Sequence, residues 1–268
     1  MPVLRVEGVT RRFGGVTAVK EVSFQVHEAQ IKAVIGPNGA GKTTLFNLVS
    51  AIDRPDEGRV LFRNPLRSGD AQIDLARTSP HQASRAGIGR TFQHSQIFEA
   101  LSVLDNVKVG RHAHGRAGLL SAFLTLPRQR REEAEAEEAA RQALQRAGLG
   151  DRAETEADSL PLGERHLLEI ARALATEPGL LLLDEPAAGL NNEETERLAE
   201  TVRRIRDDGV TVLLVEHDMG FVMEVSDEVV VLDYGEKIAE GSPLMIRSNP
   251  EVIRAYLGED YLAEEVPR

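Results

Sequence analysis

The residues Gly36-Pro37-Asn38-Gly39-Ala40-Gly41-Lys42-Thr43-Thr44 are of the types and at the spacing that can cradle a chain of phosphates. They match G-x-x-x-x-G-K-[ST] at every fixed position. Glycines let backbone N–H groups close around phosphate oxygens, where a side chain would block the approach. Lys42 supplies a full positive charge for β- and γ-phosphates, and Thr43 a hydroxyl for Mg²⁺.

Three more positions carry chemistry. Asp184-Glu185 is a pair of adjacent carboxylates in which Asp184 suits Mg²⁺ and Glu185 can polarise an attacking water as general base. His217, within Glu216-His217-Asp218, has an imidazole able to hydrogen-bond a γ-phosphate oxygen and orient the water. Gln93 ends Ile88-Gly89-Arg90-Thr91-Phe92-Gln93 with an amide that can meet both Mg²⁺ and water.

Each of these groups sits at the end of a predicted strand. Ile31 to Ile35 runs into the phosphate loop, and a helix pattern, Leu45 to Val49, leaves it. The helix N-terminus adds partial positive charge at the same point. Leu180 to Leu183 and Val210 to Val215 are unbroken apolar runs, as expected of strands buried on both faces of a parallel sheet. In open α/β sheets, ligands bind at the carboxyl ends of such strands.

The chain divides into three parts. Residues 1–95 alternate strands and turns around the phosphate loop. Residues 96–178 read as a helical subdomain. Within it, Ala136, Ala140, Ala143, Leu144 and Ala147 line one face of a charged, solvated amphipathic helix. His112 and His114 lack a third ligand and read as loop residues. Residues 179–268 return to strand–helix alternation and end in an acidic tail.

Composition narrows the function classes. The 268 residues carry a formal net charge of −11, which argues against a general nucleic-acid surface. Cysteine is absent, which removes thiol catalysis and Cys-type zinc sites. No secretory signal is legible, and the apolar stretches are too short to span a bilayer. No Asn-Lys-x-Asp guanine reader is present.

The order of these blocks resembles the nucleotide-binding subunit of ABC transporters from Leu4 to about Asp260. It is most similar to the ATPases of branched-chain amino acid importers. The similarity is carried by Gly87 to Gln93, Asp184 to Asn191, Val215 to Met219 and Asn249 to Glu259. The resemblance implies an α/β P-loop NTPase with a RecA-like core, an antiparallel β subdomain and a helical subdomain. It implies ATP and Mg²⁺ as cofactors, with Thr43, Gln93 and Asp184 around the metal. Phe13 lies where the family stacks an aromatic on adenine. Glu185 matches the catalytic base, His217 the γ-phosphate switch residue, and Gln93 the glutamine that relays nucleotide state to the membrane partner. Ala188 to Asn191 matches the loop that crosses a dimer.

That dimer is expected to pair two copies, or one copy and a close relative, around two ATP molecules. Membrane permease subunits are the direct partners, and a periplasmic solute-binding protein an indirect one. The implied location is peripheral, on the cytoplasmic face of the inner membrane. Gln93 and Ile97 to Val107 are expected to line the groove that receives a permease helix, with residues 117–126 nearby. A lipopolysaccharide-type exporter ATPase is the alternative, because it shares the tail Tyr256-Leu257-Gly258-Glu259-Asp260. A non-transport ABC ATPase of chromosome type would need a long coiled-coil insertion, and positions 94–160 leave no room for one.

One segment departs from the family pattern. Leu160-Pro161-Leu162-Gly163-Glu164 stands where Leu-Ser-Gly-Gly-Gln is usual. Proline has neither hydroxyl nor N–H to give. Gly163 and the helix that starts here are therefore the expected contacts to the γ-phosphate bound by the partner subunit, without a Ser-type contact.

Overall fold

The computed structural model describes residues 1–67, 71–91, 97–112 and 127–257, the side chains of 112, 127–132 and 257 excepted. In chain order the strands are β1 (Pro2–Phe13), β2 (Val16–His27), β3 (Ile31–Ile35), β4 (Glu57–Phe62), β5 (Ile73–Asp74), β6 (Ile88–Arg90), β7 (Leu180–Asp184), β8 (Thr211–Val215), β9 (Glu228–Asp233) and β10 (Glu236–Gly241). The helices are α1 (Lys42–Val49), α2 (Pro80–Ala86), α3 (Val103–His112), α4 (Pro127–Arg146), α5 (Leu162–Leu174), α6 (Asn192–Asp207), α7 (Met219–Val225), α8 (Pro243–Arg247) and α9 (Pro250–Leu257).

Two sheets form. An antiparallel sheet has the order β2-β1-β4-β5, and a six-stranded sheet the order β10-β9-β3-β8-β7-β6. In the larger sheet β9, β3, β8, β7 and β6 run parallel and only β10 is antiparallel. The apolar runs of β3, β7 and β8 are buried along their whole length, as their composition predicts.

Strand periodicity splits the core into two layers. Val34, Leu180, Leu182, Leu213 and Val215 face α1 and the antiparallel sheet. Ile31, Ala33, Ile35, Leu181, Leu183, Val212 and Leu214 face the other way, onto α3 to α7. Successive side chains on a strand point to opposite faces, so one continuous Leu run feeds both layers. Between residues 96 and 178 the described elements are helices, short helical turns and one isolated β-bridge. The apolar stripe of α4 is spent on this packing, with Ala140, Ala143 and Leu144 buried, as is Ala147 just beyond the helix.

Gln93, His114, the 117–126 stretch and the tail from residue 258 onward fall outside the described residues.

Candidate nucleotide site

The phosphate loop packs against other backbone so closely that two of its glycines leave no room for a side chain. A Cβ on Gly36 would lie 2.2 Å from the Leu232 carbonyl oxygen, and one on Gly41 would lie 2.3 Å from that of Ala18. Gly41 also has φ 97° and opens α1 as its N-cap. These positions therefore require glycine both sterically and conformationally. The Ala40 N–H donates to the Pro37 carbonyl at 3.1 Å, and the Ala40 carbonyl accepts from Gly235 at 3.1 Å. Asn38 and Gly39 are exposed at the tip of the loop.

Lys42 is buried and folds back over the loop. Its Nζ donates to the carbonyls of Gly36 at 2.7 Å and Pro37 at 3.0 Å. Burial pushes its pKa down, and the nearby Glu185 carboxylate pushes it up. Thr43 presents its side chain to solvent, while Thr44 is half-buried.

The carboxylates arrive from β7 and the imidazole from just beyond β8. Pairing of Asp184 with Val215, and of Val215 with Val34, puts the ends of β7, β8 and β3 level. Asp184 is 6% exposed. Burial raises its pKa, the Arg90 guanidinium opposes this, and Glu185 adds to the rise. Glu185 turns away from the strand at φ 46°, a left-handed conformation that a non-glycine residue adopts only when its surroundings hold it there. Its N–H donates to Val215 at 2.9 Å. The turn brings Glu185 Oε2 to 4.0 Å from His217 Nδ1. Lys42, Asp184, Glu185 and His217 thus gather at one rim of the sheet.

Two further residues join this cluster, Arg90 and Glu216, to which the sequence motifs assign no role. Arg90, at the end of β6, reaches Asp184 Oδ2 at 3.2 Å, Asn47 Oδ1 at 3.0 Å and Ser50 Oγ at 2.6 Å. Its guanidinium also lies 4.8 Å from the centre of the Phe46 ring. Glu216, fully buried, accepts the N–H groups of Ala187, His217 and Asp218.

The Gly163 corner lies apart, at the start of α5. Pro161 is its N-cap and offers no side-chain hydrogen bond. The Gly163 N–H donates to Glu194 Oε1 of α6 at 3.2 Å, and His166 Nδ1 lies 2.7 Å from the Pro186 carbonyl. The amide expected to meet a partner's phosphate is thus engaged by a carboxylate of its own chain. Phe13 ends β1, 48% exposed, with the Arg11 guanidinium 4.6 Å from its ring centre.

The donor set suits Mg²⁺. Thr43 and Asp184 are hard oxygen donors, and Mg²⁺ is commonly bound through one or two such groups together with substrate phosphates. Among the described residues there is no cluster of three or more His, Cys, Asp or Glu that could hold a metal. Mg²⁺ bound in this mode does not need one.

A parallel sheet with a phosphate loop after β3 and an acid pair after β7 defines the class of P-loop ATPases. The sequence pattern of the ABC transporter family matches residues 19–188. A second pattern, that of the branched-chain amino acid ATP-binding cassette transporter, matches residues 236–261. The chain is 42% identical to the high-affinity branched-chain amino acid transport ATP-binding protein LivG of Escherichia coli K12, over 96% of this chain and 98% of that one. Its identity to BraF of Pseudomonas aeruginosa, of the same description, is also 42% over the same shares. Among solved structures, the ADP conformation of MJ1267, an ATP-binding cassette of an ABC transporter, superposes with TM-score 0.82 at 33% identity. That match covers 97% of this chain and 100% of the other. The chain belongs to the ABC transporter family, as one of its ATP-binding, ATP-hydrolysing subunits.

Proposed function

We propose that this chain energises the import of branched-chain amino acids or similar small solutes. The observation that carries the chemistry is the convergence of Lys42, Asp184, Glu185 and His217 on one rim of the sheet. The substrate class is supported by similarity to LivG and BraF along nearly the whole chain. The match of residues 236–261 to the branched-chain amino acid pattern favours import over the exporter reading of the tail.

In this reading the loop 36–44 wraps the phosphates of ATP. Lys42 exchanges its two carbonyl contacts for phosphate oxygens. Thr43, Asp184 and Gln93 would hold Mg²⁺, which would supply charge neutralisation at the phosphates. Glu185 takes the proton of the attacking water, and His217 holds the γ-phosphate oxygen that gains charge. Phe13 stacks on adenine with the face that Arg11 leaves open. Gly163 of a second subunit, identical or related, completes each site from across the dimer. For this to happen Glu194 must give up the Gly163 N–H.

The membrane partner is a permease helix docked in a groove of about 290 Å³. Its walls include Ser50, Ile52, Ala83, Ile88, Arg90 and Arg172. Within the expected 97–107 lining, Val103, Leu104 and Val107 are buried in the core, Phe98 stays exposed with its ring against Arg172 of the groove wall, and α3 reaches the groove through Gly110. Among the described residues no helix is long and apolar enough to cross a membrane. The proposed location, peripheral on the cytoplasmic face of the membrane, rests on the similarity to LivG and BraF.

Glu185→Gln tests the chemistry. It keeps shape and hydrogen bonding but loses basicity. Turnover of Mg-ATP by the purified chain is expected to fall roughly 10²-fold or more with ATP binding retained. Parental turnover in this variant would remove Glu185 from the mechanism.

A further inference from the structure

Glu216 is the most deeply buried carboxylate of the strand-end cluster, and the nucleotide reading has no use for it. It follows β8 directly and is 0% exposed. Its Oε1 accepts the Ala187 N–H at 2.8 Å. Its Oε2 accepts the N–H groups of His217 at 2.8 Å and Asp218 at 3.2 Å. A carboxylate taken out of water is strongly destabilising unless donors or a counter-charge meet it. Here backbone amides meet it. Among the described residues, the basic side chain within ion-pair reach is His217, with Nδ1 3.5 Å from Oε2.

The arrangement joins two segments that are far apart in sequence. One carboxylate oxygen serves the turn after Glu185, and the other serves the turn that carries His217. The carboxyl group is planar and rigid, so the two turns cannot shift independently while both sets of bonds hold. The Ala187 turn leads on through Leu190, whose N–H donates to the Ala187 carbonyl at 3.2 Å, to Asn191, the N-cap of α6.

We propose that Glu216 is a positioning residue that makes His217 and the 187–191 segment move as one. The inference rests on the reading above, in which His217 meets the γ-phosphate and residues 188–191 face the partner subunit. Engagement of that segment by the partner then sets the placement of His217 in the same chain, so each site senses closure at the dimer interface. A role of Glu216 in folding alone has a different signature, because its loss would then add to the loss of His217.

The test is a double-mutant cycle on the purified full-length chain. The variants are Glu216→Gln, His217→Ala and the two combined, read as kcat and KM for ATP. Glutamine keeps the volume but replaces one acceptor oxygen with a donor, so one of the two turns loses its partner. Glu216→Gln is expected to lower kcat by roughly 10- to 100-fold, the scale of a small misplacement of a reacting group, with KM changed by less than about threefold. The combined variant is expected to be no slower than His217→Ala. Additive losses, or parental kcat in Glu216→Gln, would overturn the proposal. Parental turnover in His217→Ala alone would overturn the underlying reading of His217 as well, and is distinguishable because the first single variant then has no site to act through. Should Glu216→Gln not fold, Glu216→Asp keeps the charge and withdraws it by one methylene. It must show the same non-additivity, and additivity there would be equally contrary.

Discussion

Arg90 governs how Asp184 is held. Its guanidinium ties the carboxylate to Asn47 and Ser50 of the α1 region, and it also lines the groove on the outer side. Removing one partner of a buried pair leaves the other charge unmet. Arg90→Met is therefore expected to lower unfolding free energy by about 3 kcal/mol, measured by urea denaturation. Its Mg²⁺ requirement for ATP hydrolysis should also change. Unaltered stability would mean that solvent replaces the guanidinium without cost. Neither Arg90 nor Glu216 was assigned a role from sequence, for a physical reason. Lys42, Asp184 and Glu185 are legible because a fixed motif or a buried strand points at them. Arg90 acquires its role only when β6 pairs with β7 and lies over α1. Glu216 acquires its role only when Ala187 arrives from a different strand end. Neither pairing leaves a local pattern in the chain.

The strands and the phosphate-loop helix were the most readable elements. Runs buried on both faces permit little but a central strand, and β3, β7 and β8 form within a residue of the predicted bounds. Less readable was the use made of the 97–107 segment, where Val103, Leu104 and Val107 serve the core while Phe98 stays exposed against Arg172. The start of α5 is the element whose chemistry differs most from its family. Pro161 is exposed and gives no cap, and Gly163 is engaged by Glu194. Serine at 161 is sterically tolerated there. It would also supply a neutral phosphate contact worth about 0.5–1.5 kcal/mol. Pro161→Ser in a Glu185→Gln background is expected to strengthen ATP-dependent dimerisation, read by sedimentation with Mg-ATP. A parent already fully dimeric at low micromolar concentration, and unchanged by the substitution, would show that backbone and helix dipole suffice.

At the scale of the whole molecule, the nucleotide rim and the groove share Arg90, so in the proposed reading hydrolysis and docking meet at one side chain. Ile52 offers a way to separate them. It is 50% exposed on the groove wall and makes no part of the phosphate loop. Ile52→Glu places a charge where an apolar helix face is proposed to sit. The isolated subunit should keep its ATPase, while transport by the assembled complex should fall about tenfold or more, the scale of a buried unpaired charge at an interface. Full transport in that variant would move the docking site elsewhere. The central claim, that ATP hydrolysis by this chain drives import of a branched-chain amino acid, is tested most directly by uptake. Proteoliposomes carrying the permeases and this ATPase, with nucleotide on the ATPase side and binding protein loaded with labelled leucine opposite, should accumulate leucine only with Mg-ATP. Replacing the chain by Glu185→Gln should abolish accumulation. Leucine uptake that persists with Glu185→Gln, or ATP turnover with no uptake from the parent complex, would contradict the account.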